Sequence, residues 1–166
     1  IRLICVCDAA ASAMGAAVYG GFELENGSFS CSLLTAKSRL ANASIPRNEL
    51  GAILLGTELL HGVVKSSPRP IHSIKIYTDS KVALSWVSSQ SLKLLPFVFN
   101  RVETIHHMFS WISKSGKEIL DPEITLDYID TSVNPADLLT KQHSFSINLV
   151  DASSTWQNGY QWMTYR

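Results

Sequence analysis

The sequence predicts an α/β domain built on a mixed sheet, in which an antiparallel meander is followed by alternating helices and strands. Residues 2–8 form an apolar run that is typical of a central strand buried on both faces. Asn26-Gly27 is a hairpin signal between two further strand-like segments. Apolar residues take up a helical spacing from Pro46 onward. With 166 residues, 46% of them hydrophobic, the chain can form one core, so we expect residues 1–166 to be a single domain.

The first three predicted strands lead into a helix. The first strand ends at Asp8, and residues 14–21 and 28–38 are predicted to form the second and third strands. Pro46 suits the first turn of the helix that follows, which places Glu49 near the start of that helix. One acid therefore ends a strand, and another lies at the beginning of a helix.

Strands and helices then alternate. Residues 74–78 are predicted to form a fourth strand, parallel to the first, which ends at Asp79. A short helix, a longer helix over residues 96–113 and a fifth strand over residues 124–129 follow. The side chains that support the short helix are Val82, Ala83 and Trp86.

Asn134-Pro135 is predicted to open the last helix. Asn is a favourable N-cap and Pro a favourable first helical residue. Asp137 then occupies the third helical position, where exposed N–H groups and the helix dipole favour a negative charge. The aromatic tail over residues 153–166 is expected to pack back on the domain.

The composition limits the partners and the compartment. Fourteen basic residues balance fourteen acidic ones, so binding to nucleic acid would depend on a local basic patch. Geometry disfavours a disulfide between Cys5 and Cys7, two apart on a predicted strand, and an odd total of three cysteines fits a reducing compartment. No apolar stretch reaches the length of about 18 residues that a membrane span needs, so we expect no membrane association. Because the chain starts without Met inside a strand-like run, we interpret it as a domain cut from a longer polypeptide.

Four carboxylates occupy distinctive positions, since Asp8 and Asp79 follow strands while Glu49 and Asp137 lie at the starts of helices. Converging acids can hold a pair of Mg²⁺ ions for phosphodiester chemistry. Each acid taken alone is also explained by an ordinary turn, capping or helix-dipole role, but their joint placement favours a metal-binding cluster. Five other acids near the fifth strand are expected to form a solvated face: Glu118, Asp121, Glu123, Asp127 and Asp130.

Six ordered blocks of sequence resemble the RNase H domain of LTR retrotransposon polyproteins, especially the BEL/Pao type. The blocks are Cys7-Asp8-Ala9-Ala10 with Gly15-Ala16-Ala17-Val18-Tyr19, Lys37-Ser38-Arg39, Ile45-Pro46-Arg47-Asn48-Glu49-Leu50, Tyr77-Thr78-Asp79-Ser80-Lys81-Val82, Phe99-Asn100-Arg101-Val102 and Asn134-Pro135-Ala136-Asp137-Leu138. The closing Trp156-Gln157-Asn158-Gly159-Tyr160-Gln161-Trp162 is similar to the aromatic tail that follows the domain in those elements. The resemblance implies a ribonuclease H-like fold, a five-stranded mixed sheet in the order 3-2-1-4-5, with strands 1–3 antiparallel and helices flanking the sheet.

The same resemblance implies an endonuclease that hydrolyses the RNA strand of RNA/DNA hybrids during reverse transcription. Asp8, Glu49, Asp79 and Asp137 would be both catalytic residues and ligands of two Mg²⁺ ions, for which Mn²⁺ can substitute. Asp8 would bridge the metals, Glu49 and Asp79 would complete one site, and Asp137 would hold the other ion. The implied partner besides the hybrid is the reverse transcriptase domain of the same polyprotein, and the implied location is a cytoplasmic virus-like particle.

Substrate contacts are predicted beside the acids. Asn48, Ser80 and Asn134 are candidates for contacts with the hybrid's backbone and 2′-hydroxyls. Further candidates, for phosphates, are Arg47, Asn100, Arg101 and Lys141. For Arg101, an ion pair with Glu103 or a neighbour on the same helix is an equally good alternative.

Two departures from the family pattern qualify the expectation. Many RNases H carry a His in the loop ahead of the last Asp, whereas residues 131–133 contain none, and His143 is better explained as a surface residue. Residues 87–100 contain a single basic residue, Lys93, so the chain lacks a pronounced basic handle. We therefore expect weak activity in isolation, with the grip on the hybrid supplied by an attached reverse transcriptase.

Other function classes fit less well. A noncatalytic RNase H-like module that binds a protein partner is the main alternative, although such modules usually lose acids that this chain keeps. An integrase of the same fold would need a Glu about 35 residues after the second Asp, and Glu103 and Glu118 fit poorly. No Gly-x-Ser-x-Gly motif supports a serine hydrolase, and Cys5 and Cys7 lack the second ligand pair that a zinc site needs.

Overall fold

A five-stranded mixed sheet forms the centre of the molecule, with the strand order β3-β2-β1-β4-β5 that the resemblance implies. This computed structural model describes residues 1–89, 93–114, 124–141 and 154–164. The strands are β1 Arg2–Ala9, β2 Ala13–Glu23, β3 Phe29–Leu40, β4 Ser73–Thr78 and β5 Ile124–Tyr128. The predicted fold class is confirmed, and the observed strands β2 and β3 extend the predicted ranges by two residues at their C-terminal ends.

The central strand β1 pairs antiparallel with β2 and parallel with β4. In the parallel ladder Cys7 lies opposite Thr78, so Asp8 and Asp79 follow next to each other at the same edge of the sheet. Residues 3–7 are fully or almost fully buried, as expected for a strand covered on both faces. The register of one strand pair thus brings two of the four predicted acids together.

Three helices cover one face of the sheet: α1 Ile45–Ser66, α2 Lys81–Ser88 and α3 Pro96–Lys114. Helix α1 lies close against β1, because a Cβ added to Gly56 would meet the sulfurs of Cys5 and Cys7 at 2.7 Å each. Cys5 and Cys7 are buried free thiols with their sulfurs 3.8 Å apart. Among the described residues, no helix combines the length and apolar character needed to cross a membrane.

The opposite face is covered by the C-terminal part of the chain. There Trp156 of α4, Thr155–Asn158, packs edge-on against buried Tyr19, with the ring centroids 6.2 Å apart. Met163, in the 3₁₀ helix Gln161–Thr164, is buried in the same cluster. Residues from the far end of the chain therefore complete the second core.

The segment after Asn134 differs from the predicted helix. Residues Pro135–Leu139 form a short 3₁₀ helix, in which the Thr140 N–H donates to the Asp137 carbonyl three residues earlier. The predicted N-cap is confirmed, since the Asn134 side chain accepts from the Ala136 N–H at 3.0 Å. The tighter turn arises because the segment is held at both ends by contacts with the sheet and the acid pocket, and such i→i+3 turns are common in short connectors.

Candidate active site

Four elements bring the predicted acids to one pocket. Asp8 lies at the end of β1, Asp79 follows β4, Glu49 lies in the first turns of α1, and Asp137 lies in the 3₁₀ helix Pro135–Leu139. All four line a cavity of about 270 Å³ at this edge of the sheet, which we call the acid pocket. The other residues that line it are Ala9, Ala10, Thr131, Thr140 and Lys141.

Asp8 is the most buried of the four acids, with 7% of its surface exposed. Its Oδ2 atom accepts a hydrogen bond from the Thr140 hydroxyl at 2.5 Å. Burial raises the pKa of Asp8 to about 6, and the negative charges of Asp79 and Asp137 act in the same direction against the stabilising bond from Thr140. A cation in the pocket would offset both the cost of burying an ionised carboxylate and the repulsion between the acids.

Glu49 is held by the start of the neighbouring helix. The Ser80 hydroxyl donates to Glu49 Oε2, and Ser80 Oγ in turn accepts from the Ala83 N–H at 3.1 Å, which caps α2. Burial raises the pKa of Glu49, and the charge of Asp79 adds to the effect. Ser80 therefore joins an acid on α1 to the first turn of α2.

Asp137 is paired with a lysine of its own segment. Lys141 Nζ donates to Asp137 Oδ2, and the two residues are four apart in sequence. This hydrogen bond, together with the carboxylate charge, raises the pKa of Lys141. Asn134 anchors the segment to the sheet, since its side-chain amide donates to the Cys7 carbonyl at 3.0 Å, one residue before Asp8.

The side chains of Asn48, Ser80 and Asn134 are buried and bonded within the protein. The Asn48 amide donates to the carbonyls of Ala10 and Ala11 at 3.0 and 3.2 Å, which fixes the turn after β1. These three residues therefore hold the acid-bearing elements in place, and the direct substrate contacts that the resemblance implies for them stay a prediction. Their sequence positions beside the acids are as expected, but their side chains face the protein.

A basic cluster lies beside the first turn of α1. The guanidinium groups of Arg47 and Arg101 both lie against the ring of Phe97, at 4.9 and 3.5 Å from its centroid. Arg101 also donates to the Phe97 carbonyl at 3.2 Å, and within the described ranges it forms no ion pair with Glu103. Asn100 is exposed on the same helix. We call Arg47, Phe97 and Arg101 the arginine cluster.

The donor set of the acid pocket fits a hard divalent cation, because Mg²⁺ prefers carboxylate oxygens and four carboxylates line one cavity. In the described part of the chain, however, no three His, Cys, Asp or Glu side chains are already arranged to hold a metal ion. The reason lies in the hydrogen bonds, since Thr140, Ser80 and Lys141 each take an oxygen of a different acid. Asp8, Glu49, Asp79 and Asp137 could hold a cation once these oxygens turn towards it.

Of the five acids near the fifth strand that are expected to form a solvated face, the two that the structure describes are exposed. Asp127 and Asp130 are exposed and do not line the acid pocket, and Asp130 instead accepts from the Ser132 N–H at 2.9 Å. Four other residues considered above lie outside the described residues: Glu118, Asp121, Glu123 and His143.

Thr140 and Phe97 belong to the site, although no sequence pattern predicts this for either residue. Thr140 is 132 residues from Asp8, so no local pattern could reveal their contact. The pair of Asp137 and Lys141 was detectable, because residues four apart on a helical segment can form an ion pair. Phe97 could have been found only by placing α1 beside α3.

Residues 1–80 match the family model described as the Pao retrotransposon-like RNaseH-like domain. The match covers slightly less than half of the chain, which is therefore similar to this family. This match confirms the predicted resemblance to the BEL/Pao type and includes Asp8, Glu49 and Asp79, whereas Asp137 lies beyond it. A search of curated proteins gives no significant match.

Solved structures support the same fold. The N-terminal RNase H domain of rv2228c from Mycobacterium tuberculosis is 14% identical, with a TM-score of 0.59 over 87% of this chain and 94% of that one. LC11-RNase H1, isolated from compost and solved in complex with an RNA/DNA hybrid, is also 14% identical, with a TM-score of 0.54 over 83% and 91%. The protease-reverse transcriptase of prototype foamy virus is 18% identical, with a TM-score of 0.52 over 89% of this chain. The domain spans about a fifth of that viral chain, 21%.

Proposed function

We propose that this domain is a divalent-cation-dependent endonuclease that hydrolyses the RNA strand of RNA/DNA hybrids during retroelement reverse transcription. The observation that carries the proposal is the convergence of Asp8, Glu49, Asp79 and Asp137 on one pocket at the edge of an RNase H-like sheet. The similar LC11-RNase H1 was solved with an RNA/DNA hybrid, which supports this substrate class. The products would carry 5′-phosphate and 3′-hydroxyl ends.

The four acids would hold two Mg²⁺ ions, or Mn²⁺ in their place, and Asp8 is the most buried of these ligands. Such ions supply a water nucleophile at neutral pH and stabilise the leaving oxyanion. The remaining residues orient the acids. Thr140 fixes one oxygen of Asp8, Ser80 fixes one oxygen of Glu49, and Asn134 holds the Asp137 segment against β1. These bonds hold the acids at one pocket, and the oxygens that Thr140 and Ser80 now take would turn towards a cation when it binds.

The arginine cluster would bind the phosphate backbone of the hybrid. Neither Arg47 nor Arg101 forms an ion pair with a carboxylate in the parts of the chain that the structure describes, so both guanidinium groups retain their charge for a ligand. Stacking on Phe97 pre-orders the two groups. Because the whole chain has no net charge, the reverse transcriptase domain of the same polyprotein would supply further grip, within a cytoplasmic virus-like particle.

Cleavage of a labelled RNA/DNA hybrid at enzyme excess tests the proposal. We expect Mg²⁺-dependent cleavage by the wild type and a loss of more than about 100-fold for Asp79→Asn, since even residues that only support a metal ligand are worth roughly 10–100-fold. Asp127→Asn is the matched control, because Asp127 is an exposed acid on β5 outside the acid pocket. Equal cleavage by wild type and Asp79→Asn, or cleavage without a divalent cation, would contradict the proposal.

One observation favours a second candidate, a noncatalytic module that binds a protein partner. In the described ranges three of the four carboxylates, Asp8, Glu49 and Asp137, are bonded to protein donors, and no metal-ready group of three is formed. The same assay separates the two functions. A wild-type domain that binds no divalent cation and cleaves nothing at high enzyme excess would favour the binding module.

A further inference from the structure

Lys141 is a lysine inside a pocket lined by four acids. Its ammonium group donates to Asp137 Oδ2, and its side chain remains 60% exposed while that of Asp137 is 24% exposed. A second ion pair, between Arg39 and Glu58, lies outside the acid pocket. Lys141 therefore places a positive charge at the position where a metal ligand is proposed.

We propose that Lys141 is a built-in cation that competes with the divalent ion for Asp137 and, once displaced, contacts a phosphate of the substrate. This inference rests on the proposed nuclease function, because it assigns a metal and a phosphodiester to the same pocket. It gives Lys141 two successive positions, one on the carboxylate and one on the substrate.

Lys141 and a divalent ion would compete for Asp137, because one oxygen of this carboxylate already has a positively charged partner. Asp137 Oδ2 accepts from the ammonium group, so a divalent ion on that carboxylate would lie within a few ångströms of another positive charge. A divalent ion can displace Lys141 from Asp137, since the lysine side chain is largely exposed and an exposed ion pair is weak. The flexible four-carbon stem lets the ammonium group move without moving the backbone.

The displaced ammonium would stay at the mouth of the pocket. Lys141 directly follows Thr140, whose hydroxyl lies 2.5 Å from Asp8 Oδ2 and 3.1 Å from the Asp137 carbonyl. These two contacts of the Thr140 hydroxyl, with Asp8 and with the Asp137 carbonyl, fix the residue next to Lys141. The lysine side chain therefore starts at the rim of the acid pocket. A phosphodiester bound there is the anion that a tethered ammonium group would meet. The positive charge is thus kept close to the substrate when the metal takes Asp137.

The test is a Mn²⁺ titration by isothermal calorimetry on four proteins: the wild type, Lys141→Ala, Lys141→Arg and Lys65→Ala. Lys65 is an exposed lysine in the last turn of α1, at the opposite end of that helix from Glu49, so its removal changes the net charge equally. We expect Lys141→Ala to bind Mn²⁺ roughly fivefold more tightly, a change typical of losing one exposed charge pair. Lys141→Arg and Lys65→Ala should bind like the wild type.

Hybrid cleavage at saturating Mn²⁺ supplies the second readout. Lys141→Ala should cleave at least about tenfold more slowly although it binds the metal more tightly, because it lacks the phosphate contact. A purely structural ion pair would not move metal affinity and cleavage in opposite directions. Thermal melts of all four proteins check that the substitutions leave the fold intact.

The outcomes separate this inference from the function on which it rests. Unchanged or weaker Mn²⁺ binding by Lys141→Ala, in a domain whose wild type binds Mn²⁺ and cleaves the hybrid, overturns the role of Lys141 alone. Tighter binding without slower cleavage overturns the phosphate contact. If neither the wild type nor Lys141→Ala binds Mn²⁺, the metal-dependent function fails together with the inference.

Discussion

Asp8 is a buried carboxyl group that shares its pocket with other acids. Its raised pKa, about 6, reflects burial first and the charges of Asp79 and Asp137 second. Thr140 opposes this shift through its hydrogen bond, so the hydroxyl stabilises the ionised form that a metal requires. A single contact across 132 residues thus favours the charged state of the central acid.

The pKa of Asp8 predicts how stability changes with pH. An unfolded Asp titrates near about 3.9, so the folded domain holds this proton more tightly and ionisation costs stability as pH rises from about 4 through 6. Between pH 4.5 and pH 7.5 we expect the wild type to lose about 1 kcal/mol more than Asp8→Asn does, a value reduced for solvent screening of an open pocket. Urea unfolding of both proteins at the two pH values measures the difference.

Millimolar Mg²⁺ provides the control for this prediction. Because a cation neutralises the acids, it should raise the stability of the wild type at pH 7.5 and leave Asp8→Asn almost unchanged. If the stability of the two proteins depended on pH in the same way, ionisation of Asp8 would not be the cause of the lost stability.

At the scale of elements, the 3₁₀ helix Pro135–Leu139 is held by three contacts that place Asp137. Asn134 bonds to β1, and the Trp162 indole N–H donates to the Val133 carbonyl at 3.3 Å. Leu139 lies directly over Gly15, the partner of Asp8 in the ladder between β1 and β2. A Cβ at Gly15 would lie 2.5 Å from the Leu139 Cβ, closer than two side chains can approach.

Gly15→Ala should therefore displace Asp137 from the acid pocket. We expect Mn²⁺ binding to weaken by about tenfold and stability to fall by roughly 1–3 kcal/mol, as for other overpacked sites. Gly21→Ala is the matched control in the same strand, because its nearest contacts would be at 3.8 Å. Calorimetric Mn²⁺ titration and urea unfolding measure the two effects, and equal results for the two variants would contradict the assigned contact.

Local patterns reveal elements more reliably than contacts between them. The Asn134 cap and the acids at the ends of β1 and β4 could be predicted, because capping preferences and strand endings are properties of neighbouring residues. The length of the last predicted helix could not be, since tertiary contacts hold Pro135–Leu139 in a tighter turn. The buried role of Asn48 also depends on the turn after β1, 37 or 38 residues away.

At the scale of the whole molecule, charge is balanced overall but unevenly placed. The chain has no net formal charge, whereas Arg47 and Arg101 lie together on one ring beside the start of α1, the helix that also carries Glu49. Nucleic-acid binding would therefore depend on this patch and would be sensitive to salt. The proposed catalytic acids and the arginine cluster proposed to bind phosphates therefore lie near each other.

The salt dependence of hybrid binding tests the arginine cluster. Replacing Arg47 and Arg101 together by Ala should weaken binding and reduce the slope of log Kd against log salt by about one to two, one for each lost phosphate contact. Arg69→Ala is the control, since Arg69 lies in the loop before β4, away from the edge of the sheet where β4 ends at Asp79. Fluorescence anisotropy with a labelled hybrid in Ca²⁺ measures binding without relying on cleavage. A slope that stays at the wild-type value in the double variant would remove the cluster from the binding surface.

The sheet order was predictable because the six sequence blocks resemble a known family, and the composition alone would not have given it. The strand and helix patterns indicate an α/β class, but the position of β5 beside β4 is a property of the complete fold. The acid pocket follows from that order together with the register of Asp8 and Asp79. Two of the bonds that now occupy the acids, from Thr140 to Asp8 and from Ser80 to Glu49, join residues 132 and 31 positions apart, so local sequence does not encode them.

The hydrogen bond from Trp162 to Val133 also bears on the order in which the parts of the acid pocket are synthesised. Asp8, Glu49 and Asp79 all precede residue 80, whereas Asp137 and the indole that holds its segment come late in the chain. Because synthesis on the ribosome proceeds from the N-terminus, a nascent chain carries three acids well before the fourth is held in place. The acid pocket thus gains its fourth acid, and the indole that holds the segment of that acid, only after the three acids before residue 80 have been synthesised.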